Sequence, residues 1–404
     1  MTHYHRFLSS HNTYCVLDSM SKSKMQTPIC SKPINWFFQC KKSMAFLSSG
    51  KGLRLFGNTS LRTSVPGASP PTGASPPTTG DERLVESNDS FEPWSKANHL
   101  RVMDGFLGDL ALELRQKFAS TVGNPRVTKS ERFVWDYWYV EDQYTLLRTP
   151  AHLLFDEDQY HSLENMLLTC AQQQFGCRSL SPIWLSYYVD GCHQALHADN
   201  PHGPWAFVLS LTDWDRRRFR GGETMILQKH VLDYWSTFDP SRGTEMASLV
   251  ELVPPKFDRL TVFDPRFPHG VRQVQGTHDP LEARLVLHGW FSDPSPFFTG
   301  GLSEEDAAPV LDRVLGRLFD ELDAEVGRAT GTLAVRLNVS GETGRVTGIS
   351  SLTDTLIPLP GQGYDDPEDV RLEIQDCVQQ FLMSPTFPPS SAGDTQITIP
   401  LVFE

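Results

Sequence analysis

Between residues 181 and 293 short apolar runs alternate with turn residues. Phe207-Val-Leu-Ser-Leu211 and Leu285-Val-Leu-His-Gly-Trp290 are separated by stretches rich in Gly, Pro and Asp. That rhythm is the signature of a double-sheeted all-β barrel. The expected fold is mainly β: a double-stranded β-helix (jelly-roll) barrel over this stretch, with flanking helices and a small C-terminal α+β domain read from the sequence on either side.

Inside this stretch lies His197-Ala198-Asp199. Residues i and i+2 of a strand point to one face, so the spacing sets an imidazole beside a carboxylate. A third candidate ligand, His269, follows in Phe263-Asp-Pro-Arg-Phe-Pro-His269. Two His and one carboxylate on one side of a metal describe the facial triad of non-haem Fe(II) oxygenases. With 13 His and 49 acids in 404 residues, a His-x-acid arises by chance about once or twice, so the surrounding motifs must carry the reading.

Those motifs come in two blocks. The first is His197-Ala-Asp199-Asn200-Pro201-His-Gly203, then Phe207 to Leu211, then Asp213-Trp-Asp215 and Gly221-Gly222-Glu223-Thr224. The second is Phe257-Asp258-Arg259-Leu260, then Pro268-His269-x-Val271, then Arg284 with Trp290 six residues on. In this order the chain resembles the 2-oxoglutarate- and Fe(II)-dependent dioxygenases, within them the prolyl 4-hydroxylase-like group that includes the oxygen-sensing protein prolyl hydroxylases. The resemblance implies Fe(II) held by His197, Asp199 and His269, with 2-oxoglutarate as cosubstrate, O₂, and ascorbate as an accessory reductant. It makes Arg284, whose planar fork takes a carboxylate bidentately, the anchor for the far end of 2-oxoglutarate.

Two departures stand out. The interval from His269 to Arg284 is longer than in close relatives, and Gly276-Thr-His-Asp-Pro280 reads as the inserted turn. Ser210 occupies the place where these hydroxylases carry a Tyr against the cosubstrate carboxylate. Tyr187 or Tyr188 supplies a second contact, and the sequence does not choose between them. His202 and His193 lie close to the triad in sequence; His202 reads as a turn residue, His288 as a packed strand histidine, and Arg216-Arg-Arg218 as part of a solvated loop.

The remainder is organised around this barrel. Residues 1–65 hold nine Lys or Arg and one acid, Asp18, leaving 27 basic and 48 acidic residues in the rest. A basic, hydroxyl-rich, acid-poor start predicts an organelle leader, plastid or mitochondrial; the alternative is a disordered tail or an extension ahead of a later start at Met44, in a cytoplasmic protein. Residues 66–97 form a linker in which Gly-Ala-Ser-Pro-Pro-Thr occurs twice. The dioxygenase domain is placed at 98–300 (core 181–293), a connecting helix at 301–330 and the small α+β domain at 331–404. That last unit is similar to the C-terminal domains of TonB-like proteins.

Within these bounds helices are predicted over 107–118, 156–174 and 303–327, and a strand over 133–140. In the final unit strands are predicted over 333–339, 346–349 and 397–403, with a helix opening at Asp366-Pro367. Gly327 and Gly331 predict a hinge. The four cysteines beyond the leader, Cys170, Cys177, Cys192 and Cys377, have neither metal-finger nor disulfide-framework spacing. The net charge of −13 argues against nucleic acid as a partner, and no apolar run reaches the length of a membrane span. A protein or small-molecule substrate is expected, with a homodimer or partner joined through 331–404. The competing reading is a catalytically silent barrel acting as a scaffold.

Overall fold

The computed structural model describes residues 98–123, 135–199, 202–232, 241, 248–325, 329–359 and 367–403. The expected leader and linker, residue Asp366 and the Gly327 half of the expected hinge lie outside them.

Twelve strands form one curled, antiparallel sheet. In chain order they are β1 (Leu100–Asp104), β2 (Asp136–Val140), β3 (Tyr144–Pro150), β4 (Ser179–Leu180), β5 (Trp184–Tyr188) and β6 (His193–His197). Then come β7 (Trp205–Ser210), β8 (Thr224–Leu227), β9 (Val250–Val253), β10 (Arg259–Phe263), β11 (His269–Val271) and β12 (Arg284–Ser292). The spatial order is β1-β10-β7-β12-β5-β3-β6-β11-β8-β9, with β2 added to β3 and β4 to β12. This is the expected jelly-roll arrangement.

Strand β12 shows how one sequence serves two faces. Leu285, Leu287 and Phe291 point into a core with Leu114 and Phe118 of helix Asp109–Val122 and Leu163 and Leu167 of helix Glu157–Cys170. The alternate residues Arg284, Val286, His288 and Trp290 line a cleft on the other face. The strand is covered on both sides, so it reads as a continuous apolar run whose polar positions are conspicuous.

A second antiparallel sheet of five strands has β13 (Phe297–Gly300), β14 (Ala329–Val339), β15 (Val346–Asp354), β16 (Ile357–Pro358) and β17 (Thr395–Phe403). Helices Glu304–Glu325 and Pro367–Met383 pack on it through Leu311, Val314, Leu318, Ile374 and Val378. The first of these helices is capped by Ser303: Asp306 N donates to Ser303 Oγ at 3.2 Å. Its apolar stripe faces this second core, and β13 pairs with β17, so the second layer takes in residues from Phe297 onward. Gly331 is no hinge. It lies within β14, paired with Phe403, and a Cβ there would stand 2.5 Å from the Thr355 carbonyl oxygen.

The two layers meet at several points: Arg336 Nη2 donates to Gln173 O at 3.0 Å, Arg101 donates to Leu352 O, and Arg266 bridges them from the barrel side. Arg266 pairs with buried Asp264, and its Nη1 donates to Thr330 Oγ1 at 2.8 Å, while Nη2 donates to Thr355 O at 3.2 Å. Among the described residues no helix is long and apolar enough to cross a membrane.

Candidate active site

Strand β6 ends on His197, and its pairing with β11 sets His197 directly opposite His269, ring centroids 4.5 Å apart. Asp199 follows just past the strand end, its backbone N–H donating to Pro265 O at 2.8 Å. Its carboxylate oxygens lie 3.6 Å from His197 Nε2 and 3.5 Å from His269 Nε2. One ligand atom from each residue can be chosen so that all lie within 4.8 Å of one another.

The tautomers follow from the partners. His197 Nδ1 is 2.8 Å from Ala195 O and His269 Nδ1 is 3.0 Å from Phe267 O. A carbonyl only accepts, so each Nδ1 carries the proton and each Nε2 lone pair is left for a metal. Trp290 Nε1 donates to Asp199 Oδ2 at 3.2 Å, fixing the carboxylate from outside. Burial alone pushes the Asp199 carboxyl up. The imidazoles of His269 and His197 beside it, with the Trp290 N–H, outweigh burial, and the group sits below the usual carboxylate range. Two neutral imidazoles and a charged carboxylate on one side, with a cleft on the other, suit an octahedral divalent ion with open positions.

Arg284 lines the same cleft and is 1% exposed. Its Nε donates to Gly222 O at 2.7 Å, its Nη2 to Thr224 Oγ1 at 3.2 Å, and its guanidinium lies 4.5 Å from the centre of the Tyr188 ring. Gly222 has φ +84°, and a Cβ on it would press on Arg284 Cδ at 3.4 Å. Nη1 is buried with no hydrogen-bond partner, and no carboxylate among the described residues forms an ion pair with Arg284. A buried, unmatched donor on a cation is expensive, so this end of the cleft is built for an anion.

Residues 183–292 match the family model described as the 2OG-Fe(II) oxygenase superfamily. This region belongs to that superfamily. Membership implies Fe(II), 2-oxoglutarate and O₂, and the donor set just described fits the metal. Solved structures similar to the chain include a Pseudomonas putida prolyl-4-hydroxylase at 19% identity, covering 48% of this chain and 92% of that one, with a TM-score of 0.32. A Trichoplax adhaerens prolyl hydroxylase, in complex with a hypoxia inducible factor peptide fragment, is 16% identical over 48% and 84%, with a TM-score of 0.33. The epimerase SnoN from nogalamycin biosynthesis is 19% identical over 49% and 79%, with a TM-score of 0.33. Among curated proteins none matches the sequence.

Of the other residues predicted for the oxygenase site, Tyr188 lies in the cleft, where its hydroxyl donates to Gln194 Oε1 at 3.0 Å. Tyr187 does not. Adjacent strand residues face opposite ways, and Tyr187 packs in the helical core with its ring 4.6 Å from that of Trp135. Ser210 is also outside the cleft: its hydroxyl donates to Pro255 O at 2.7 Å and accepts from Thr212 N, which stabilises the turn after β7. The expected cosubstrate contacts at Tyr187 and Ser210 are therefore corrected.

His202 reaches the cleft and lies against the Trp290 ring, centroids 4.6 Å apart. His288 Nε2 is 2.8 Å from Ser186 Oγ; burial and the nearby cations Arg148 and Arg284 push its pKa down to about 3, so the ring is neutral. The inserted turn packs on the β5–β6 connection, Gly276 N donating to Asp190 Oδ1 at 2.7 Å. Arg216, Arg217 and Arg218 stay on a loop away from the cleft, engaged by Asp213, Trp214 and Glu282. Cys192 is a buried free thiol.

Proposed function

We propose that the protein is an Fe(II)- and 2-oxoglutarate-dependent dioxygenase that hydroxylates an unactivated C–H bond, with a prolyl residue of a protein as substrate and succinate and CO₂ as co-products. One observation carries the reading: a metal-ready triad and a buried arginine with an unmatched donor share one cleft. The prolyl assignment rests on the motif order shared with prolyl 4-hydroxylase-like enzymes.

His197, Asp199 and His269 would hold the metal through Nε2, a carboxylate oxygen and Nε2. Bound Fe(II) supplies the O₂-driven oxidation of 2-oxoglutarate and the transfer of one oxygen atom to the substrate. The chain's own residues do the positioning. Ala195 O and Phe267 O keep both imidazoles in the ligating tautomer, and Trp290 steadies Asp199. Arg284, held by Gly222 O, Thr224 and the Tyr188 ring, would receive the far carboxylate of 2-oxoglutarate with its unmatched Nη1. A silent scaffold has no use for an unpaired buried guanidinium.

The test is succinate release from 2-oxoglutarate by the purified protein. It should require Fe(II) and O₂, and His197→Ala or Asp199→Ala should abolish it and weaken metal binding. Turnover that survives stringent iron chelation would sink the reading.

A further inference from the structure

Arg284 is not the only guanidinium in the cleft. Strand β3 contributes Tyr144, Leu146 and Arg148 to the wall. The Arg148 guanidinium lies between two indoles, 3.7 Å from the centre of the Trp138 ring and 4.2 Å from that of Trp184. Stacking covers both faces of the planar group and leaves only its edge, with its N–H donors, for polar contact. No hydrogen bond or ion pair to Arg148 is found among the described residues, and its Nε is buried without a partner. Asp136 stands across from it in the β2–β3 register, yet makes no ion pair with it and is exposed. Rings hold this cation in place; no anion does.

The two cations differ in depth. Arg284 is fully enclosed, whereas Arg148 is half-buried beside Trp138, which is 39% exposed at the mouth. On the proposed function the cosubstrate already has both ends accounted for, one at the triad and one at Arg284. The shallower guanidinium faces what enters from solvent.

Resting on that reading, we propose that Arg148 is the substrate-recognition residue of this site and takes a carboxylate that the substrate carries close to the hydroxylated carbon. A rigid fork presented edge-on pairs bidentately with a carboxylate, which a lysine or a neutral side chain could not match. The carboxylate can be a terminal one or that of a neighbouring Asp or Glu side chain.

The experiment uses the full-length protein loaded with Zn(II) in place of Fe(II) and saturated with 2-oxoglutarate. Binding of four probes is measured by saturation-transfer NMR. N-acetyl-L-proline is set against N-acetyl-L-prolinamide, and N-acetyl-prolyl-aspartate amide against its asparagine counterpart. At least one acid should bind about tenfold more tightly than its neutral partner, and which pair responds identifies the source of the carboxylate. Arg148→Met, which keeps an apolar filling between the indoles, should bring that ratio close to one, and Arg148→Lys should leave it in between. If thermal melting shows that the Met variant is unfolded, the Lys variant alone must lower the ratio.

Three results overturn the proposal. One is equal binding of acid and amide in both pairs, undetectable binding of all four included. Another is a ratio that the substitutions do not lower. The third is a larger change in the apparent KM for 2-oxoglutarate than in the acid-to-amide ratio, which would give Arg148 to the cosubstrate. Succinate release by the Fe(II)-loaded protein without probe is followed separately: its absence counts against the proposed function, and the binding ratio is read independently of it.

Discussion

Two arginines, Arg284 in the barrel and Arg371 in the second layer, are each 1% exposed. Arg371 lies 2.8 Å from Asp354 Oδ2 and pairs with Glu368 one helical turn away. Asp354 in turn accepts from Gln375 Nε2 at 2.6 Å. Arg284 has only neutral partners and one donor with none. Same residue, same depth, opposite meaning: a buried cation that brings its own carboxylate is architecture, and one that lacks it is waiting for an anion. Burial on its own did not separate them.

Substitution by Met, which preserves most of the volume, turns that contrast into measurements. Arg371→Met strands the buried Asp354 carboxylate and should cost about 3–5 kcal/mol in denaturant unfolding. A cost below about 1 kcal/mol would mean that the pair contributes no more than a surface one. Arg284→Met should do the reverse: without 2-oxoglutarate the protein should be as stable or more stable, since an unpaired charge has been removed. Its cosubstrate affinity should fall by roughly 2–5 kcal/mol, about 30- to several-thousand-fold, as seen in titration of the metal-loaded protein. Equal stability losses in the two variants would erase the distinction.

A smaller effect concerns His288, on the cleft side of β12. Its folded pKa, about 3, is below the unfolded value near 6.5, so between these pH values the unfolded chain binds more protons. Stability should therefore decline as pH falls through 6.5, by on the order of 2 kcal/mol at pH 4.5 from this group alone. Unfolding curves of His288→Gln should show a shallower acid decline than wild type. Parallel declines would mean that the imidazole is solvated.

The triad's first pair was legible because His197 and Asp199 stand two residues apart at one strand end, a local property, though Asp199 lies just past the strand rather than within it, and Arg284 because its six-residue offset to Trp290 stays within one strand. Tyr187 and Tyr188 were not separable. Deciding between them needs the register of β5 against β12, where Tyr188 pairs with Arg284. Ser210 misled because its hydroxyl partner, Pro255 O, is 45 residues away. The Arg148 stack joins Trp138 and Trp184 from separate strands, and no local pattern announces it. The helix after Ser303 was readable from its cap and stripe, but a stripe does not say which core it meets.

The six residues from Asp264 to His269 are tied at both ends. Pro265 O and Phe267 O hold Asp199 and His269, while Arg266 between them reaches Thr330 and Thr355 of the other layer. Successive residues of this turn thus serve both layers, and one added or deleted residue would displace the carbonyls that meet Asp199 and His269. The stretch is in effect length-locked. A homologue or designed variant could change nearly any side chain on the outer surface of the second layer, yet swapping that layer as a cassette would disturb the partners of Arg266 and with them the turn that carries His269.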